Sequence, residues 1–187
     1  MKIVGLVGSP RKGGNVDTLL QKAMDGAKAQ GAETALFYLN DLNLHGCQGC
    51  YGCKKDGKCV VKDDMQQIYA AINEADAVII GSPIYFGRIS AQLAPVMDRF
   101  FAYLTLEFAS RLAKGKKYGL AFAYAAPSAD AYVGCIGAVA KVMERIGFTA
   151  GSKPLIGAGL GADDAASKNA GYLDDAFKFG AAMAKGD

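Results

Sequence analysis

The chain has 187 residues, 51% of them hydrophobic, with a formal net charge of +3 and five cysteines. A chain of that size buries roughly 70% of the surface its unfolded form exposes, so it can build a core without disulfide staples and its cysteines are free for chemistry. The small charge, spread over scattered lysines, argues against nucleic-acid binding, and no apolar run reaches the length of a membrane span.

Lys2 to Gly8 reads as a short strand, strand-sized rather than a signal peptide because its apolar run stops at Gly-Ser-Pro. The segment that follows, Gly8-Ser9-Pro10-Arg11-Lys12-Gly13-Gly14-Asn15, leads into a helix with Leu19, Leu20, Ala23 and Ala27 on one face. It lacks the Gly-Lys-Ser/Thr ending of a nucleotide-hydrolase P-loop and does not fit the dinucleotide fingerprint. It suits a phosphate monoester held by Ser9, the Arg11 guanidinium, the Asn15 side chain and helix-end amides. The plainer alternative is an ordinary glycine-rich strand-to-helix turn.

A second strand is expected at Thr34 to Leu39, followed by a cysteine-rich insertion at about 40–63. Within it Cys47, Cys50, Cys53 and Cys59 are spaced x2, x2 and x5, with Gly49 and Gly52 between the first three. Thiolates two residues apart with intervening glycines let one short loop wrap an iron-sulfur cluster, here of the four-iron type. Two alternatives stay open: structural zinc, which usually takes two separated pairs, and a thiol-disulfide site activated by Lys54, Lys55 and Lys58. His45 reads as a loop residue. Asp63 and Asp64 read as helix-start residues, with Asp64 and Gln67 forming a capping box ahead of Ile68 and Ile72.

Ala77 to Gly81 is a continuous apolar run suited to a central parallel strand. It ends in Gly81-Ser82-Pro83-Ile84-Tyr85-Phe86-Gly87, where Pro83 stiffens the turn, Gly87 allows an unusual dihedral, and Tyr85 and Phe86 offer faces to a flat heterocycle. From about Ala91 a helix places Leu93, Val96, Met97, Phe100, Phe101 and Leu104 on one broad face, more than a sheet contact needs, which suggests another subunit. Asp98 and Arg99 are expected to form a structural ion pair. Lys117 to Tyr124 reads as strand, Ile136 to Ile146 as helix with Cys135 a buried free thiol beside it, Lys153 to Ile156 as strand, and 164–184 as a closing helix. The sum is an α/β fold with a doubly wound, five-stranded parallel sheet and helices on both faces. No linker or low-complexity run divides it, so one domain over 1–187 is expected, and cysteines without a secretion signal point to the cytoplasm.

The first loop, the Cys-x2-Cys-x2-Cys-x5-Cys loop ending in Asp63-Asp64-Met65, and Ser-Pro-Ile-Tyr-Phe-Gly with Asp98-Arg99 downstream resemble the iron-sulfur flavoprotein branch of the NADPH-dependent FMN reductases over about residues 1–110. The resemblance implies a flavodoxin-like fold, FMN held by the first and third loops, and a cluster on the four cysteines close to the flavin. It places Ser9, Arg11, Asn15 and Thr18 in the phosphate region, with Val16 where a hydroxyl residue is common, and Pro83, Ile84, Tyr85, Phe86 and Gly87 around the ribityl chain and ring. It also implies dimers or tetramers.

The expected function is an FMN-dependent oxidoreductase relaying electrons between flavin and a 4Fe-4S cluster. Its donor is NAD(P)H or ferredoxin, its acceptor a small molecule or protein, and no catalytic triad is needed. Two other readings stand beside it. One is a cluster-free NAD(P)H-dependent quinone, flavin or azo reductase; the other is a non-enzymatic electron carrier or redox sensor exchanging electrons with ferredoxin.

Overall fold

The computed structural model describes residues 1–185. Its elements are β1 (Lys2–Val7), α1 (Asn15–Ala29), β2 (Glu33–Tyr38), α2 (Met65–Glu74), β3 (Ala77–Tyr85), β4 (Arg88–Ile89), α3 (Ala94–Arg99), β5 (Lys117–Ala123), α4 (Val133–Arg145), β6 (Thr149–Ala150), β7 (Leu155–Gly157) and α5 (Ala170–Ala184). The sheet runs β2-β1-β3-β5-β6, with β7 also paired to β5. All of these pairings are parallel, and β4 alone runs antiparallel, folding back on the end of β3. Because β6 and β7 both lie along the free side of β5, they are two pieces of one fifth strand.

Alternation along the buried strands divides the core into two layers. Val4, Leu6, Val78, Ile80, Leu120 and Phe122 face α2, α3 and α4, where they meet Ile68, Ile72, Val96, Ile136, Val139 and Met143. Ile3, Val7, Ile79 and Ala121 face α1 and α5, where they meet Leu19, Leu20, Ala23, Phe179 and Met183. The second layer is lined by small residues. A Cβ on Gly180 of α5 would sit 1.7 Å from the Ala23 carbonyl, and one on Gly26 of α1 would sit 1.9 Å from that of Phe177. The two helix backbones therefore touch, which only glycine permits.

The expected doubly wound five-stranded sheet is present, with three differences in its elements. β3 continues four residues beyond Gly81, because Ser82 and Pro83 keep pairing with Phe122 and Ala123. The fifth strand is interrupted over 151–154, where Pro154 lacks the N–H that a ladder needs. The expected helix from Ala91 is only Ala94–Arg99, followed by a 3-10 turn at Phe100–Tyr103. Leu93, Val96, Phe100 and Leu104 are nonetheless buried, all of them inside this chain.

Candidate functional site

The carboxyl ends of β1, β3 and β5 converge on a cavity of about 260 Å³, the place where an open parallel sheet binds its ligands. Gly8 closes β1 against β3. Its N–H donates to the Gly81 carbonyl at 2.8 Å, and a Cβ there would lie 2.8 Å from that same oxygen. Ser90 locks the two loops together: its hydroxyl donates to the Gly8 carbonyl at 2.5 Å, and the buried Ser82 Oγ accepts from the Ser90 N–H at 3.0 Å. The turn into α1 is held by Asp17, almost fully buried, whose carboxylate accepts from the Gly13 N–H at 2.7 Å and from Tyr38 Oη–H at 3.1 Å.

Ser9, Arg11, Gly14, Asn15 and Val16 line the cavity on the first-loop side, and Pro83, Ile84 and Tyr85 on the third-loop side. Ser9 Oγ accepts from the Arg11 N–H at 3.1 Å, so the hydroxyl helps to shape the loop as well as lining it. Thr18 does not line the cavity; its hydroxyl turns to the Gly13 carbonyl at 3.4 Å. Phe86 and Gly87, both at positive φ (49° and 76°), form the tip of the β3–β4 hairpin, and the Phe86 ring is fully exposed. The remaining wall consists of Ala123, Tyr124 and Ala125 at the end of β5 and of Leu160, Gly161 and Asp163, and these last three were not foreseen. Asn15 is bonded to that wall, donating to the Leu160 and Ala162 carbonyls at 3.2 and 2.7 Å and accepting from the Ala166 N–H at 2.8 Å. Arg11 is ion-paired with Asp163. Ser90 and Asp17 could have been noticed as polar residues beside apolar runs, whereas nothing near Gly161-Ala162-Asp163 signals its partner 152 positions away.

The cysteine loop is pinned at both ends. Asn43 and Asp64 bond reciprocally: the Asp64 N–H donates to the Asn43 carbonyl at 3.1 Å, and the Asn43 N–H to Asp64 Oδ2 at 2.7 Å. The capping box is therefore not formed, because the Asp64 carboxylate is spent on Asn43 rather than on α2. Arg99 does not pair with the exposed Asp98. It bonds Asp63 at 2.9 and 3.2 Å and the His45 carbonyl at 3.0 Å, and Asp63 also accepts the His45 and Met65 N–H groups. Burial alone would push the Asp63 carboxyl up, but Arg99 and the two amides outweigh it and hold the carboxyl below its ordinary value. His45 lies with Nδ1 3.4 Å from Asp63 and remains a loop residue.

Cys47 and Cys50 are exposed, Cys53 is buried and Cys59 is half-buried. Gly49, Tyr51 and Gly57 take positive φ and give the loop its tight turns. Lys54 is buried beside them, its ammonium donating to the Phe101 and Leu104 carbonyls at 2.5 and 2.7 Å and lying 3.2 Å from the Phe101 ring centroid. Burial pushes the Cys53 thiol up, against the neighbouring Lys54 charge, and the Cys59 and Cys47 sulfurs push it in the same direction as burial. Among the described residues no three Cys, His, Asp or Glu side chains are gathered as a metal site. The donor chemistry nevertheless fits a thiolate-bound cluster: four sulfurs in thirteen residues, with the Lys54 ammonium beside them to offset part of their charge. Among the described residues the Arg99 Nε–H finds no acceptor. Cys135 is half-buried rather than buried, on the wall of an apolar groove with Met97 and Val142, and burial pushes its thiol up.

Sheet order and cavity together define a flavodoxin-like protein with a cavity at the strand ends. Residues 1–136 match the NADPH-dependent FMN reductase family, and the chain belongs to it. An iron-sulfur flavoprotein of Methanocaldococcus jannaschii is 46% identical over 99 residues, 53% of this chain and 51% of its own length; one from Methanosarcina thermophila is 38% identical over 99 residues, 53% and 52%. The chain thus spans about half the length of the curated relatives it matches. In fold it resembles the NAD(P)H:quinone oxidoreductase of Methanothermobacter marburgensis, with a TM-score of 0.73 at 16% identity over 97% of this chain and 96% of that one. An archaeal flavodoxin gives 0.63 at 15% identity, over 99% and 97%.

Proposed function

We propose that the chain is an FMN-dependent oxidoreductase passing electrons between a reduced donor and a one- or two-electron acceptor. The observation that carries this is the cavity at the ends of β1, β3 and β5, which brings an arginine, a buried serine and the start of α1 to one side and Pro83, Ile84, Tyr85 and Tyr124 to another. Arg11 and Ser9 bind the phosphate end, Val16 closes the floor beside them, and Pro83 to Tyr85 orient the ring. FMN, when bound, supplies hydride acceptance and single-electron release. The protein's part is to position it and keep its phosphate neutralised. Asn15 acts through the loop it tethers, Thr18 through the first loop's backbone, and Phe86 and Gly87 at the rim.

Cys47, Cys50, Cys53 and Cys59 would hold a four-iron cluster, which supplies a one-electron exit, while Lys54 and the Arg99–Asp63 pair fix the loop that carries them. The donor is NAD(P)H, as the family name suggests, or ferredoxin. The active species is a homo-oligomer in the cytoplasm, formed through the apolar grooves at Met97, Phe101, Phe108 and Val142. One observation favours the cluster-free reductase as second reading: the four thiols are not gathered.

Flavin titration and anaerobic iron and sulfide analysis test both halves. Arg11→Ala is expected to weaken FMN binding by about 10- to 100-fold, the loss of a charge-assisted phosphate contact; unchanged affinity sinks the phosphate assignment. Serine at any of the four loop cysteines should remove iron while flavin stays, and Cys135→Ser should leave iron unchanged. Wild-type protein that holds no iron after anaerobic reconstitution selects the cluster-free reading.

A further inference from the structure

Half of the wall opposite the first loop, Leu160, Gly161 and Asp163, lies outside the residues matched to the family, which end at 136. It is nevertheless built into the cavity. Three hydrogen bonds of the Asn15 side chain, two donated and one accepted, fix the 160–166 backbone. The Leu160 N–H also donates to the Tyr124 carbonyl at 2.9 Å, and the Gly159 N–H to that of Ala126 at 2.8 Å. The result holds Asp163 above the start of α1, close enough that a Cβ on Gly14 would lie 3.8 Å from the Asp163 carbonyl. Arg11 is the one cation and Asp163 the one anion among the described lining residues, and they are paired with each other. Lys12, the next cation along the loop, is turned away to Asp41 at 2.6 Å.

We propose that Asp163 is a competitor built into the anion site, its carboxylate holding the Arg11 guanidinium that a flavin phosphate must take over. The inference rests on the phosphate reading of the cavity and adds a residue that sets how strongly the site prefers a phosphorylated flavin. A guanidinium presents one planar fork that matches carboxylate and phosphate alike, so the two anions compete for the same N–H groups. Both partners are more than half exposed, Arg11 57% and Asp163 68%, so the exchange meets little resistance from packing. The carboxylate stays tethered nearby after the exchange, and its charge then opposes the phosphate dianion. A flavin without phosphate neither displaces Asp163 nor feels that repulsion.

Protein freed of flavin is titrated with FMN and with riboflavin, for wild type and Asp163→Asn, by quenching of flavin fluorescence at low salt. Because Asp163 is exposed, the variant is expected to keep the wild-type unfolding temperature. FMN should bind the variant about three- to tenfold more tightly, riboflavin should bind it as it binds wild type, and the gain should shrink as added salt screens the charges. Unchanged or weaker FMN binding by Asp163→Asn, with wild type binding FMN normally, overturns this inference alone. An equal gain for both flavins also overturns it, because the effect would not act on the phosphate. Wild type that binds neither flavin overturns the phosphate reading and this inference together.

Discussion

Arg99 illustrates what a cation needs in order to sit in a core. It is 2% exposed, and the Asp63 side chain is fully enclosed. The pair survives because its charge is spread over both Asp63 oxygens and the His45 carbonyl, while Asp63 collects two further backbone donors. Removing one partner leaves the other charged and dry, so Arg99→Met should cost about 3–5 kcal/mol in urea unfolding. The sign of the pH effect follows from Asp63. Its folded value is depressed, so its contribution is complete above the ordinary 3.8 and is lost as pH falls through the lower folded value. Asp63→Asn should therefore be less stable than wild type at neutral pH, and the gap should narrow below about pH 4; a constant gap from pH 7 to pH 3 would refute the assignment. Sequence adjacency suggested Asp98 as the partner of Arg99. The true partner lies 36 residues away, and no local pattern reveals a pairing of that range.

The contact between α1 and α5 gives a sharper test of packing, because two glycines with similar local sequence predict opposite outcomes. Alanine at Gly180 would drive a methyl into the Ala23 carbonyl, so the helices must separate, at a cost of about 1–3 kcal/mol. Alanine at Gly137 of α4 meets nothing within 4 Å and should raise stability by up to about 1 kcal/mol through the unfolded chain. Thermal unfolding of the two variants should move in opposite directions; a stabilised Gly180→Ala would mean that the helices do not touch as described. The parallel strands and α1 were legible because unbroken apolar runs and a regular stripe leave few alternatives. The 3-10 turn after α3 was not, because Phe100, Phe101 and Leu104 satisfy helical spacing and a tighter turn almost equally well. The wall at 158–168 was illegible because its hold on the cavity comes from Asn15, a residue whose own sequence context pointed to phosphate.

At the scale of the whole molecule, two shallow apolar grooves of about 510 and 370 Å³ share Met97 and Val142 and run from Phe108 to Gly87. Apolar surface of this kind, on a chain that buries the rest of its α3 face, favours a second copy of the same chain across a two-fold axis. Light scattering should find an oligomer at micromolar concentration, and Val142→Glu, at a site 40% exposed, should convert it to monomer without unfolding it. A wild-type monomer at those concentrations would reject the interface. The sheet itself offers a different route to self-association, and the broken fifth strand limits it. One border of the sheet presents two fragments of two and three residues, β6 and β7, too short and too interrupted to template an incoming strand. β2, at the other border, is six residues long and continuous. A sheet that can be extended on one side alone pairs once, β2 against β2, and the borders that remain are too broken to take another strand. This chain therefore has a built-in stop against fibrillar growth through its native sheet.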